Sequence, residues 1–229
     1  MHPSYKNDPS LGKEVHAYLV KQGLETPMTD QVKQSAEKKI EAITDSFSDI
    51  MIELGLDTTD DSLMDTPKRV AKMYVNEIMG GRYKTMPDPN SFPNYIENGY
   101  EGMLVVRSEL KSVCSHHHQP VTGIAYIGII AGDKLLGLSK YTRIAQWCAT
   151  RGTLQEELNV MIADEIQRQC ETEHVGVYIQ ATHGCCENRG IKAHSSLTQT
   201  TVLRGGFKKE DLKKEFFDNI TQQQMVSPR

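Results

Sequence analysis

The sequence predicts an α+β protein: a helical N-terminal part, then an antiparallel four-stranded sheet carrying two helices, then a terminal helix. Three observations carry this. Between residues 36 and 81 apolar residues recur at three- and four-residue steps. Beyond residue 100 short β-branched runs replace them. A stretch rich in proline and turn formers separates the two regimes.

The first helix is expected from Ala36, where Ile40, Ile43, Phe47, Ile50, Met51 and Leu54 define one face and Gly55 supplies the stop. A second is expected in "MDTPKRVAKMYVNEIMGG", with Thr66 as N-cap and Pro67 at the first helical position. Its apolar face is Val70, Met73, Tyr74 and Ile78, and Gly80-Gly81 ends it. Residues 82–100, with three prolines, read as a connecting loop. The chain is accordingly divided into a helical region with its loop, 1–96, and a sheet-bearing domain, 97–229. Nothing is assigned to the first 25 residues.

In the second half "GMLVVRSELKSV" and "GIAYIGII" read as strands, and "SKYTRIAQWCATR" and "TLQEELNVMIADEIQRQC" as helices, the latter opened by Thr153. "HVGVYIQAT" alternates, with Val175, Val177 and Ile179 on one face. "SLTQTTVLRG" is a further strand and "KKEDLKKEFFDNI" a tail helix. Strands followed by helices and then strands again give an α+β order with an antiparallel sheet.

The formal net charge of −4 argues against a nucleic-acid partner, which calls for a basic surplus. No apolar run reaches the roughly 18–20 residues of a membrane helix, and the N-terminus lacks the apolar core of a signal peptide. Five cysteines without framework spacing read as reduced thiols of a cytoplasmic protein.

Two clusters carry the chemistry. "SVCSHHHQP" holds Cys114 and the run His116, His117, His118; "ATHGCCENRG" holds His183, Cys185 and Cys186. Catalytic zinc favours three Cys or His ligands and one open position. The clusters lie about 70 residues apart, each just after a strand, so they can meet at one edge of a sheet. Spacing does not choose among the three histidines or between Cys185 and Cys186. Neighbours on an extended chain point opposite ways, so one of the two cysteines is expected to face the metal.

With "DDSLMDTPKRVAKMYVNEI", "SVCSHHH", "GLSKYTRIAQ", "LQEEL" and "HGCCENRGI" in this order, the chain resembles the GTP cyclohydrolase I family from about residue 30 to residue 220. The resemblance implies a tunnelling fold behind the helical part. It implies conversion of GTP to 7,8-dihydroneopterin triphosphate and formate, and a toroidal homodecamer of two pentameric rings with sites between subunits. It implies Zn2+ on Cys114, His117 and Cys185, with the fourth position open to water whose pKa the metal lowers. His116 and His183 match the catalytic histidines, whose imidazoles titrate near neutrality and suit proton transfer. Arg69, Ser139, Lys140, Arg143 and Arg189 match the residues that hold the triphosphate. Gln155 and Glu156 match the guanine site, where a carboxylate accepts from both N1–H and the 2-amino group. The residues alone allow a second use for Glu156: Thr153 to Glu156 fits a capping box in which the glutamate reaches back to the Thr153 amide. His118 and Glu157 match no functional position.

Two departures stand out. Where the family writes Cys-Glu-His-His, Ser115 replaces the glutamate, removing a negative charge beside the metal and two imidazoles; altered histidine proton handling is the expected consequence. Cys186 occupies a position where a bulky apolar residue is commoner. The rival readings are a zinc- and nucleotide-binding relative without turnover, and a tunnelling-fold enzyme acting on another purine or pterin.

Overall fold

The computed structural model describes residues 7–24, 28–89, 91–94 and 99–226, with side chains from residue 13 onward. A two-residue strand, β1 (Asn7–Asp8), precedes a helix the sequence reading leaves unassigned, α1 (Pro9–Lys21). Its i, i+4 pair Val15 and Leu19 is buried in the main core. After a 3-10 turn (Asp30–Lys33) comes α2 (Ala36–Glu53), with the start that periodicity predicts. The Ser35 hydroxyl accepts from the Lys38 amide at 3.3 Å, and Gly55, at φ +74°, follows the last turn. The apolar stripe of α2 is only partly covered within this chain: Met51 is buried, whereas Ile50 is half-exposed and Leu54 is 70% exposed.

The next helix, α3 (Thr66–Met73), has Asp65 rather than Thr66 at its N-cap, and Thr66 is already helical. The Asp65 side chain makes no capping bond and pairs instead with Arg69. The helix then widens into a π turn over Tyr74–Ile78 and adds another short helix, α4 (Gly80–Tyr83). Gly80-Gly81 therefore does not end the helical stretch. The Gly81 amide donates to the Thr150 carbonyl at 2.8 Å, and a Cβ at Gly81 would lie 2.4 Å from the Trp147 carbonyl oxygen. Glycine stands there because two backbones approach closely.

The expected connecting loop contains two short strands, β2 (Met86–Pro87), paired with β1, and β3 (Ser91–Pro93). The division expected between residues 96 and 97 lies outside the described residues. Beyond it run β4 (Met103–Val113), β5 (Pro120–Ile130) and β6 (Lys134–Leu136), the last paired with β3. Then come α5 (Leu138–Ala149), α6 (Gln155–Cys170), β7 (Val175–His183), α7 (Gly184–Glu187) and β8 (Thr198–Leu203). A 3-10 turn (Gly205–Lys208) leads to α8 (Glu210–Val226).

The main sheet is four-stranded and antiparallel throughout, in the order β4-β5-β7-β8. Alternation assigns its faces. Ala125, Ile127 and Ile129 of β5 and Val175, Val177 and Ile179 of β7 are buried in one core with Tyr141 and Ile144 of α5 and Leu158, Ile162 and Ile166 of α6. Tyr126 and Tyr178, one step out of phase, join Phe207, Phe216 and Ile220 in a second core beneath α8. The architecture is the mixed α+β one the sequence predicts.

Candidate metal and proton-transfer site

Register explains how two distant clusters meet. Val113 of β4 pairs with Pro120 of β5, so residues 114–119 form the connecting loop. The next residue, Val121, pairs with His183 at the end of β7. The start of β5 thus lies between the end of β4 and the end of β7. The loop is closed by main-chain bonds from the Cys114 amide to the Gln119 carbonyl (3.0 Å) and from the His118 amide to the Cys114 carbonyl (2.9 Å). His118 takes φ +50°, a left-handed turn, and its ring lies 5.7 Å from that of Tyr74 on the π turn.

One ligand atom each from Cys114, His117 and Cys185 lies within 4.8 Å of the others. Cys114 is buried, Cys185 half-buried and His117 exposed, so the trio is reachable from solvent on one side. Two sulfurs and an imidazole nitrogen suit a borderline-soft cation. Around tetrahedral zinc, with bonds of about 2.0–2.3 Å, such donors sit roughly 3.5–3.8 Å apart, within the spacing available here. Burial, reinforced by Cys114 and Cys186, pushes the Cys185 thiol up to about 11. A cation binding there must displace that proton. Cys185 and Cys186 lie on the short α7 rather than on extended chain, so a helical turn and not strand alternation separates their directions. Cys186 falls outside the trio.

His116 is exposed, its ring 6.2 Å from that of His117 in an edge-on arrangement. His183 is half-buried, and its Nε2 lies 2.7 Å from Gln155 Oε1. Burial lowers the His183 pKa below the ordinary value, while the carboxylates of Glu156 and Glu187 pull it back up. Gln155 and Glu156 open α6, but they face differently. Gln155 is buried and Glu156 is exposed. The capping glutamate is Glu157, whose Oε2 accepts from the Leu154 amide at 3.2 Å. The box expected from Thr153 to Glu156 is therefore shifted by one residue, and Glu156 is free of that duty.

The basic residues are dispersed over the fold. Arg69 is exposed on α3, 3.3 Å from Asp65. Ser139 is exposed in the first turn of α5. Lys140 is buried, with Nζ donating to the Asp88 carbonyl at 2.9 Å. Arg143 lines a cavity of about 920 Å³ together with Lys111, Gln146 and Trp147. Arg189 is exposed just beyond α7. Lys111 was not anticipated, because a single lysine on a strand carries no sequence signal. Among the described residues, no helix is long and apolar enough to cross a membrane.

A family model described as GTP cyclohydrolase I matches residues 43–221. The chain is 41% identical over 217 residues to the GTP cyclohydrolase 1 of Aeromonas salmonicida (strain A449), covering 92% of this chain and 98% of that protein. It is likewise 41% identical over 214 residues to the GTP cyclohydrolase 1 of Klebsiella pneumoniae (strain 342), covering 90% and 96%. The similarity to the GTP cyclohydrolase 1 of Flavobacterium johnsoniae is 41% over 186 residues, covering 80% and 82%.

Proposed function

The chain belongs to the GTP cyclohydrolase I family and is an enzyme with that activity, and we propose how its residues divide the work. The reaction hydrolyses GTP at guanine C8, releases formate and yields 7,8-dihydroneopterin triphosphate. The observation that carries the assignment of roles is the meeting of Cys114, His117 and Cys185 at the sheet edge where β7 ends in His183.

Cys114, His117 and Cys185 hold Zn2+, which when bound supplies Lewis acidity that lowers the pKa of a water molecule. His116 and His183 move protons as the imidazole ring of the purine opens. Their position on either side of the start of β5 supports this. Glu156, exposed and free of capping, accepts from guanine N1–H and the 2-amino group. Arg69, from the helical part (1–96), and Ser139, Lys140, Arg143 and Arg189, from the tunnelling-fold part (97–229), bind the triphosphate. A charge of about −4 needs several such groups. Their dispersal over the chain, with Ile50 and Leu54 of the α2 stripe left uncovered, supports sites shared between subunits of a toroidal homodecamer. Sedimentation at ten times the 25.8 kDa chain mass is the expected result.

Formate release from GTP by the purified protein, with zinc and again after chelation, tests the reading. Zinc-dependent formate and a fluorescent oxidised pterin are expected. Bound zinc and bound GTP without formate would leave a nucleotide-binding relative without turnover.

A further inference from the structure

Gln155 is the first residue of α6 and is 3% exposed. A primary amide buried this far must satisfy both its ends. Its Nε2 lies 3.4 Å from the Ile179 carbonyl, 3.3 Å from the Thr198 carbonyl and 3.1 Å from Thr200 Oγ1. Ile179 pairs with Thr200 across β7 and β8, and Thr198 pairs with Ala181, so the amide reaches over both strands at once. Two of these partners are main-chain carbonyls, which only accept. Turning the amide over would set its oxygen against both carbonyls, replacing two accepted hydrogen bonds by lone-pair repulsion, so the two strands fix its orientation.

With Nε2 committed to the strands, Oε1 is the atom facing His183 Nε2 at 2.7 Å. An amide oxygen has no proton to give. The hydrogen bond therefore exists only if His183 Nε2 carries one. The neutral ring is then the Nε2–H tautomer, with its lone pair on Nδ1. The opposite tautomer would put two lone pairs face to face.

We propose that Gln155 is a positioning residue: it fixes His183 as the Nε2–H tautomer and so makes Nδ1 the single nitrogen that exchanges a proton during turnover. Nδ1 takes a proton from the reacting molecule or its attacking water and returns it to the departing nitrogen. Nε2–H stays on Gln155 through both steps, so proton count balances within one cycle. Both ends of the Gln155 amide are thus engaged within the chain, while the neighbouring Glu156 carboxylate is exposed. The proposal rests on the assignment of His183 to proton transfer given above, but the tautomer is read independently of activity.

The test uses the zinc-loaded full chain labelled with 15N-histidine, with solid-state NMR of the imidazole nitrogens and the His183 signal identified by its loss in His183→Asn. The expected wild-type spectrum has a protonated Nε2 and an unprotonated Nδ1. Gln155→Leu removes the acceptor; it is expected to mix the tautomers and lower kcat about 10²-fold, the scale of one general acid–base group, with KM for GTP changed less than about twofold. Gln155→Glu keeps an oxygen opposite Nε2 but sets its second oxygen against the Ile179 and Thr198 carbonyls, so it is expected to hold the tautomer while lowering the urea midpoint. A wild-type His183 protonated on Nδ1 overturns the proposal. So does Gln155→Leu with raised KM, unchanged kcat and an unchanged tautomer, which would make Gln155 a substrate contact. Should Gln155→Leu fail to fold, the wild-type spectrum still decides. Absence of formate release by wild type would overturn the activity assignment, not the tautomer.

Discussion

Two adjacent glutamates at the start of α6 are expected to fail in opposite ways when truncated. Glu157 accepts from the Leu154 amide at 3.2 Å, satisfying one of the donors that every helix N-terminus leaves open. Removing such a cap costs about 0.5–2 kcal/mol, and losing a negative charge from the first turn adds about 0.3–1 kcal/mol. Glu157→Ala is therefore expected to destabilise by about 1–2 kcal/mol with KM for GTP near wild type. Glu156 is exposed and caps nothing. Glu156→Ala loses only the first-turn charge that both glutamates share and should cost about 0.3–1 kcal/mol, less than Glu157→Ala by the capping bond. If its carboxylate accepts two bonds from guanine, each charge-assisted and worth about 1.5–3 kcal/mol, the loss is about 3–6 kcal/mol. At 1.36 kcal/mol per decade that is about 10²- to 10⁴-fold in kcat/KM. Urea midpoints at fixed protein and zinc concentration give the first quantity, and steady-state formate release gives the second. The reasoning is refuted if Glu156→Ala stays within threefold of wild-type kcat/KM, or if it lowers the urea midpoint as far as Glu157→Ala does.

Cys185→Ser should reduce bound zinc, measured by mass spectrometry of the metal, well below one per chain, and chelated wild type should regain formate release on adding zinc but not magnesium. Ser115→Glu returns a carboxylate next to Cys114 and should strengthen zinc binding about tenfold or more in competition with a chelator, as expected for charge close to a metal; unchanged affinity would leave the serine without consequence for the metal. Burial pushes the Cys170 thiol up to about 11, above the roughly 8.5 of a free thiol. Because the folded value is the raised one, its contribution is complete below about pH 8.5 and is lost as pH climbs through about 11. Stability read from urea midpoints should fall between pH 8.5 and 11, by about 3 kcal/mol for this group. Cys170→Ala should flatten that limb in part, since burial also raises Tyr141 beside it; an identical limb would mean the thiol does not titrate there.

The parts of the fold that could be read from the sequence are those where a period decides. The stripe from Ile40 to Leu54 gave the start of α2, and the alternation of Val175, Val177 and Ile179 gave the inner face of β7. Where backbone meets backbone, period is silent. Gly80-Gly81 reads as a stop, but Gly81 is a close contact with the carbonyl of Trp147, a residue 66 positions later in the chain. Nor does any spacing announce the π turn at Tyr74–Ile78 or the two-residue pairing of β1 with β2. Helix α1 had a signal, Val15 with Leu19, but one i, i+4 pair is too short to separate from chance.

The site divides along the same line. Its convergence was legible because it depends on topology: clusters placed after β4 and at the end of β7 meet whenever β5 lies between those strands. Its internal wiring was not, because it depends on which atom of a side chain faces which. Gln155 and Glu156 are neighbours with similar side chains. One is turned inward onto the carbonyls of β7 and β8 and the other outward, only because α6 begins at Gln155 and Glu157, not Glu156, closes the cap. A shift of one residue in that helix start would rotate Glu156 by about 100° and exchange these duties. The capping bond of Glu157 thus does more than stabilise a helix end. It sets the phase that points an amide at His183 and turns the Glu156 carboxylate outward.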